Sequence, residues 1–362
     1  MTSSPLHVRG VVLPDDSVRD LWLFRDTVTL SPVPGAVTVA SSGFVLPGLV
    51  DAHCHIGIRA GGGPVSSLPE ARDLALVDRA AGVLALRDAG SPFPYPSLDS
   101  DVSVPRLARA GQHIAAPRRY LRDTGVEVAP TDVVSEVRRQ ASLGNGWVKL
   151  VGDWIDRSAG DLAPSFPLSV LSAAVAAAHE AGVRIAAHVF AESSVATLVR
   201  AGVDSVEHGT GLSFDDLDLM AARGIALVPT LLNVETFPSI AEQGAAKFPA
   251  YAAHMRALHA RFPSVVRAAH EAGVPVYVGT DAGGGIEHGL AAREIMLLHS
   301  RGGLSPVDAL AAGSWKAREW LGFPGLVEGG LADLVVYEQD PRKGLEALLT
   351  PKVVVLRGRV VS

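Results

Sequence analysis

The run PLSVLSAAVAAAHEAGVRIAAHVF, residues 167–190, holds one complete unit of the pattern that decides the fold. Its first part is an Ala- and Leu-rich stretch of good helix formers. Gly182 closes it, because a left-handed residue after a helix costs nothing without a Cβ. VRIAAHVF follows at once, an apolar run of strand length that carries a histidine near its end. The same alternation extends outward from about Gly48 to about Gly322. Toward the N-terminus come GLVDAH, a helix through EARDLALVDRAAG, then LALRDAG, RLARAG, and TDVVSEVRRQASLG leading into WVKLVG. Toward the C-terminus come ESSVATLVRAG into VDSVEHG, SFDDLDLMAARG into IALVPTLL, and a long helical region around AAHMRALHARFPSVVRAAHEAG into PVYVGTDAG.

Near-continuous apolar strands alternating with helices imply a parallel sheet covered on both faces. Eight strand candidates imply an α/β fold, a distorted TIM or (β/α)8 barrel, over residues 48–322. A doubly wound open sheet is the competing architecture. Residues 1–47 and 323–362 differ in character: LHVRGVVLP, DTVTLSPVPG, ADLVVYEQDP and KVVVLRGRVVS are short alternating runs between Pro and Gly turns. They predict a small β-sandwich domain built from both chain ends.

With 48% hydrophobic residues the chain of 362 can bury a large core. Its 32 basic and 38 acidic residues show no basic stripe, so no nucleic-acid partner is expected. The single cysteine, Cys54, excludes an internal disulfide framework and suits a reducing compartment. No apolar run is long enough to span a bilayer and the first residues lack a secretory pattern, so the expectation is a cytoplasmic protein without a membrane partner. A homo-oligomer is expected only because symmetric oligomers are common.

Barrel enzymes place their chemistry at the carboxyl ends of the strands. Those ends carry His53 and His55 on the first strand, Arg87 and Asp88 on the second, Lys149 on the fourth, His188 on the fifth, His208 on the sixth and Asp281 on the eighth. In a strand, i and i+2 point to one face, so His53 and His55 can converge on a point. Imidazole and carboxylate are metal ligands. Each residue alone also has a structural reading: His188 as a core histidine, His208 as a turn residue, Asp281 as an Asx turn or helix cap. Lys149 is odder, because a lysine inside an apolar strand must lose its charge or find an anion.

Taken in order, VLPGLVDAHCHIG, LRDAGS, VKLVG, AAHVF, SVEHGT, GTDAG and the terminal GLADLVVYEQDP resemble the amidohydrolase superfamily, in its imidazolonepropionase-like and Xaa-Pro dipeptidase-like branch. The resemblance implies His53 and His55 on one metal, His188 and His208 on a second, a CO2-carboxylated Lys149 bridging two divalent ions, zinc by prior, and Asp281 beside the nucleophilic water. It further implies hydrolysis of an amide, peptide-like or cyclic amide C–N bond of a small-molecule substrate by a metal-activated hydroxide. Asp281 serves as general base and acid, and His208 or a nearby donor steadies the tetrahedral intermediate. A mononuclear deaminase or ring-opening hydrolase is the alternative reading, and an inactive barrel scaffold a weaker one.

The glycine-rich segment that many peptidase-like members carry after the third strand is replaced here by AGQHIAAPRRYLRDTGVEVAP. That departure counts against a dipeptide substrate. By position, Arg59, Tyr120, Trp154, Asn233 and His288 are the candidate substrate contacts, and Arg87 with Asp88 is expected to orient a ligand through hydrogen bonds.

Overall fold

The computed structural model describes residues 4–362. Numbered along the chain, the first strands are β1 (Leu6–Val12), β2 (Ser17–Phe24), β3 (Thr27–Thr29), β4 (Val37–Ala40) and β5 (Phe44–Pro47). The central ones are β6 (Leu49–Cys54), β7 (Val83–Asp88), β8 (Arg106–Arg109), β9 (His113–Ala115), β10 (Gly125–Glu127), β11 (Trp147–Val151), β12 (Asp153–Asp156), β13 (Asp161–Pro164), β14 (Arg184–Val189), β15 (Ser205–His208) and β16 (Ala226–Val228). The last are β17 (Leu334–Tyr337), β18 (Val353–Leu356) and β19 (Arg359–Val360).

Hydrophobic period separates these strands into two groups. In β1 and β2 burial comes and goes along the strand, whereas every residue of β6, β7, β8, β9 and β11 is buried. The first pattern suits a sheet with one wet face, the second a parallel sheet covered on both. The two ends of the chain share one eight-stranded sheet, in the order β19-β18-β17-β5-β1-β2-β3 with β4 beside β1. Its seam is β17 against β5, with Leu334 opposite Pro47 and Tyr337 opposite Phe44. Val8, Leu21, Leu23, Leu334, Val336 and Val355 form its own apolar core.

Apart from the antiparallel hairpin β12–β13, the paired central strands run parallel. β6, β7 and β8 form one sheet, and β9, β11, β14, β15 and β16 follow in order in another, with β10 on the outer edge of β9. The third strand foreseen in the sequence, RLARAG, gives β8, and the unforeseen β9 follows after residues 110–112; they pair with β7 and β11 respectively. The eighth, residues 275–282, has no regular ladder but hydrogen-bonds on both sides. Tyr277 N donates to Leu227 O at 3.0 Å, Ala52 N to Val278 O at 2.8 Å and Asp281 N to His53 O at 2.7 Å. Gly279 permits this approach, since a Cβ there would stand 2.6 Å from that of His53. The apolar run IALVPTLL is not one strand: the chain turns at Thr230, with φ +49°, and Leu231–Val234 is helical. No helix among the described residues is long and apolar enough to cross a membrane.

A buried ionic knot fastens the terminal sheet to the central strands. Asp333, just before β17, accepts from Arg106 Nε of β8, from Arg318 Nη2 at 2.8 Å on the helix Trp315–Leu321, and from Arg357 N at 2.9 Å. Arg106 also bonds Asp26 between β2 and β3. Removing the central carboxylate strands the enclosed Arg318 guanidinium and leaves Arg106 with Asp26 alone, so Asp333→Ala should lose about 3–5 kcal/mol in urea unfolding. A loss under about 1 kcal/mol would show that the knot contributes little.

Candidate active site

β6 carries His53, and His55 follows just beyond its end at Cys54; both turn to one side, as alternate residues of an extended chain do. Residues 275–282 lie alongside and bring Asp281. Its Oδ1 stands 3.1 Å from His53 Nε2 and 3.0 Å from His55 Nε2. His55 Nδ1 is 2.7 Å from Gly90 O, an acceptor only, so Nδ1 carries the proton and Nε2 presents a lone pair in the neutral ring. A lone pair and a carboxylate oxygen then face each other at hydrogen-bond distance, an arrangement that a cation between them relieves. The candidate ligand atoms of His53, His55 and Asp281 all lie within 4.8 Å of one another. The donor set fits a divalent metal with bonds of about 2.0–2.2 Å.

Behind them lies Lys149 of β11, 1% exposed, its Nζ 3.3 Å from His53 Nε2. No carboxylate among the described residues stands within ion-pair distance of it. Burial lowers its pKa to about 8, partly opposed by Glu207. Glu207, which sequence reasoning missed, lies against the candidate ligand His53. Its Oε2 touches His53 Nδ1 at 2.7 Å, though not aligned as a hydrogen bond, and Arg87 Nη2 contacts both its oxygens at 2.7 Å. Arg87 therefore pairs with Glu207 rather than Asp88, which instead accepts from Ser91 Oγ at 2.6 Å and Gly90 N at 3.1 Å. Neighbours on a strand point to opposite faces, which is why adjacency misled. An acid in the apolar VDSVEHG was the available signal.

β14 and β15 supply His188 and His208. His188 Nδ1 lies 3.0 Å from His208 Nε2, and His208 Nδ1 2.7 Å from Thr230 Oγ1, while His188 Nε2 is buried without a partner. Burial is the main force lowering the pKa of both, to about 3 for His208 and well below the usual range for His188. Both are thus neutral, the form that binds metal. The rings of His53 and His208 are 5.1 Å apart, so the two clusters form one site. His208, Thr230 and Asp281 have φ of +65°, +49° and +60°. Such strain in non-glycine residues gathers at functional sites.

These groups open onto a cavity of about 770 Å³ whose lining includes Tyr120, Trp154, Asn233, His55, His188 and Asp281. Two other candidate contacts are not brought to it. Arg59 is exposed and turned to Glu70, its Nη2 3.0 Å from Oε2. His288 is buried with Nδ1 2.7 Å from Asp78. Position after a strand identified neither orientation. Phe190 and Tyr251 line the cavity but carried no sequence signal beyond hydrophobicity. Asp153 was also missed. It accepts from Phe190 N at 3.1 Å and Ala191 N at 2.7 Å, and so holds the end of β14.

The chain belongs to the amidohydrolase family, which residues 147–361 match, and it is a hydrolase acting on carbon–nitrogen bonds. An uncharacterized protein of Mycobacterium tuberculosis is 50% identical over 355 residues, covering 98% of this chain and 95% of its own. The fold is also that of a Xaa-Pro dipeptidase crystallised with methionine in its active site, with a TM-score of 0.82, 22% identity and 99% of each chain covered. Aspergillus niger ochratoxinase gives a TM-score of 0.81 at 18% identity over 99% of this chain and 96% of that one.

The depressed pKa of His208 means that its contribution to stability is present above about pH 6.5 and is lost as the pH falls toward 3. Asp51, Asp153 and Glu294, pushed up mainly by burial to about 7, 7 and 8, act in the opposite sense over the acidic range. Net stability is therefore a poor reporter, and histidine NMR of metal-free protein is a direct one. His188 and His208 should keep neutral-ring shifts down to about pH 5. His254, although burial opposes it, is raised by Asp161 and Glu192 and should titrate above about 6.5. Titration of His208 near 6.5 would contradict the enclosure described.

Proposed function

We propose that residues 48–322 form a distorted (β/α)8 barrel that hydrolyses an amide, peptide-like or cyclic amide bond of a small molecule. Residues 1–47 and 323–362 form its accompanying β-sandwich. His53, His55 and Asp281 would hold one divalent ion, His188 and His208 a second, and Lys149, as a CO2-derived carbamate, would bridge them. Zinc suits a histidine-rich set. The observation that carries the reading is the convergence of two imidazole nitrogens on Asp281 Oδ1 beside a buried lysine with no counter-ion.

The chemistry follows from the residues. A buried amine whose pKa is lowered to about 8 is neutral often enough to attack CO2, and the product anion resolves the cost of burial. When bound, divalent metal supplies Lewis acidity that polarises a carbonyl and brings the pKa of water toward about 7. Asp281 takes the proton of the attacking water and returns it to the departing nitrogen. Thr230 contacts His208 Nδ1 and so would leave Nε2 of that ring for the second ion. Tyr120, Trp154 and Asn233 hold the substrate in the cavity. The reaction needs no nucleic acid, membrane or protein partner, and the setting proposed is the cytoplasm.

Elemental mass spectrometry on protein prepared with zinc and bicarbonate tests the proposal. Two metals per chain are expected, falling to one or none in Lys149→Ala, with amide hydrolysis reduced at least about a thousandfold in Asp281→Asn. One metal in both wild type and Lys149→Ala would remove the bridge. That outcome favours a mononuclear deaminase or ring-opening enzyme, a reading supported by His188 and His208 already bonding each other. No metal in either protein would overturn the enzyme mechanism.

A further inference from the structure

The cavity beside the histidines has an aromatic wall. Tyr120 and Trp154 have ring centroids 5.0 Å apart at 64°, Trp154 lies 5.5 Å from the His188 ring, and Phe190 lies 4.5 Å from the same ring on its other contact. Ile155, Leu162 and Ile240 extend the apolar lining. The wall therefore begins at the proposed metal ligands, where the non-reacting part of a substrate must lie.

Charge is sparse. Asp281, at the reacting end, is the one carboxylate among the residues lining the cavity, and Arg122 the one side chain with a permanent positive charge. Arg122 is exposed. Arg119 is near but committed: it bonds Asp156 and donates to Trp154 O at 3.2 Å and Ala163 O at 3.4 Å. A free α-carboxylate placed deep against the wall would shed water without gaining a cation, which is costly. An aromatic ring would replace water with ring faces and edges, which is favourable.

We propose that the group recognised in this cavity is an uncharged aromatic or similarly bulky apolar substituent of the amide, seated against Tyr120, Trp154 and Phe190, and not an amino acid with a free carboxylate. This rests on the hydrolase reading above and names its substrate class. The amide N and carbonyl face the histidine cluster while the ring fills the wall.

The test measures amine released by metal-loaded full-length protein from four amides. N-methylacetamide is the reference, N-methyl-3-phenylpropanamide and N-benzylacetamide place a ring on either side of the bond, and N-acetylalanine carries a carboxylate instead. At least one ring-bearing amide should exceed the reference in kcat/KM by about tenfold or more, and N-acetylalanine should not. Trp154→Ala should cut that ratio several-fold, while Trp154→Phe, which retains a ring, should keep most of it. Circular dichroism checks that both variants fold. Binding of 3-phenylpropanamide to Asp281→Asn protein, followed by calorimetry, gives a readout independent of turnover, and Trp154→Ala added to it should weaken binding.

A ratio near one for both ring-bearing amides, or preference for N-acetylalanine that Arg122→Ala abolishes, would overturn the inference while leaving the hydrolase intact. Absence of turnover with all four amides, but Trp154-dependent binding of 3-phenylpropanamide, would support the inference and count against the hydrolytic reading. Absence of both turnover and binding would overturn the inference.

Discussion

Arg87 and Glu207 form an ion pair that neither can leave without stranding a charge. Both are fully enclosed, one on β7 and the other on β15, and the guanidinium lies 4.5 Å and 5.1 Å from the ring centres of Trp147 and Trp320. Separating such a pair typically costs about 3–5 kcal/mol, so it fixes the spacing between two strands that are not neighbours. The carboxylate does a second task, because it touches His53 at 2.7 Å. One interaction in the interior thus ties the placement of strands to the orientation of the first candidate metal ligand.

Backbone strain completes the arrangement. Glu207 and His208 are consecutive, and regular strand alternation would send them to opposite faces. The left-handed φ of His208 breaks that alternation, and both side chains reach the neighbourhood of His53. Asp281 departs from the strand in the same way after Gly279 has brought the chain against β6. Asp51 anchors this crossing by accepting from Thr280 N at 3.0 Å and His53 N at 3.1 Å. Of the eight non-glycine residues with positive φ among the described residues, three, His208, Thr230 and Asp281, lie where the proposed chemistry would take place.

How much of this could be read beforehand depends on the type of signal. His53, His55, Lys149, His188, His208 and Asp281 were legible because polar groups at the ends of apolar runs are conspicuous and the runs occur in a regular order. The break between β8 and β9, the helical turn after Thr230 and the irregular course of residues 275–282 were not, since each is set by packing between distant segments. Arg87 was conspicuous at the end of an apolar strand, but its partner lies 120 positions away, a distance that no local pattern encodes. Arg59 and His288 followed the positional rule and still turned elsewhere, because Glu70 and Asp78 offered each a partner. The rule locates a rim, and local electrostatics decides which side chains face inward.

The central claim is that the converging imidazoles, Asp281 and Lys149 form a carbamate-bridged metal centre. Anomalous diffraction at the zinc edge, from crystals of protein prepared with zinc and bicarbonate, tests it most directly. The account predicts two adjacent anomalous peaks, one bonded by His53, His55 and Asp281 and the other by His188 and His208, with branched density extending Lys149 Nζ between them. An unmodified amine on Lys149 with no peak beside His53, His55 and Asp281 would contradict it.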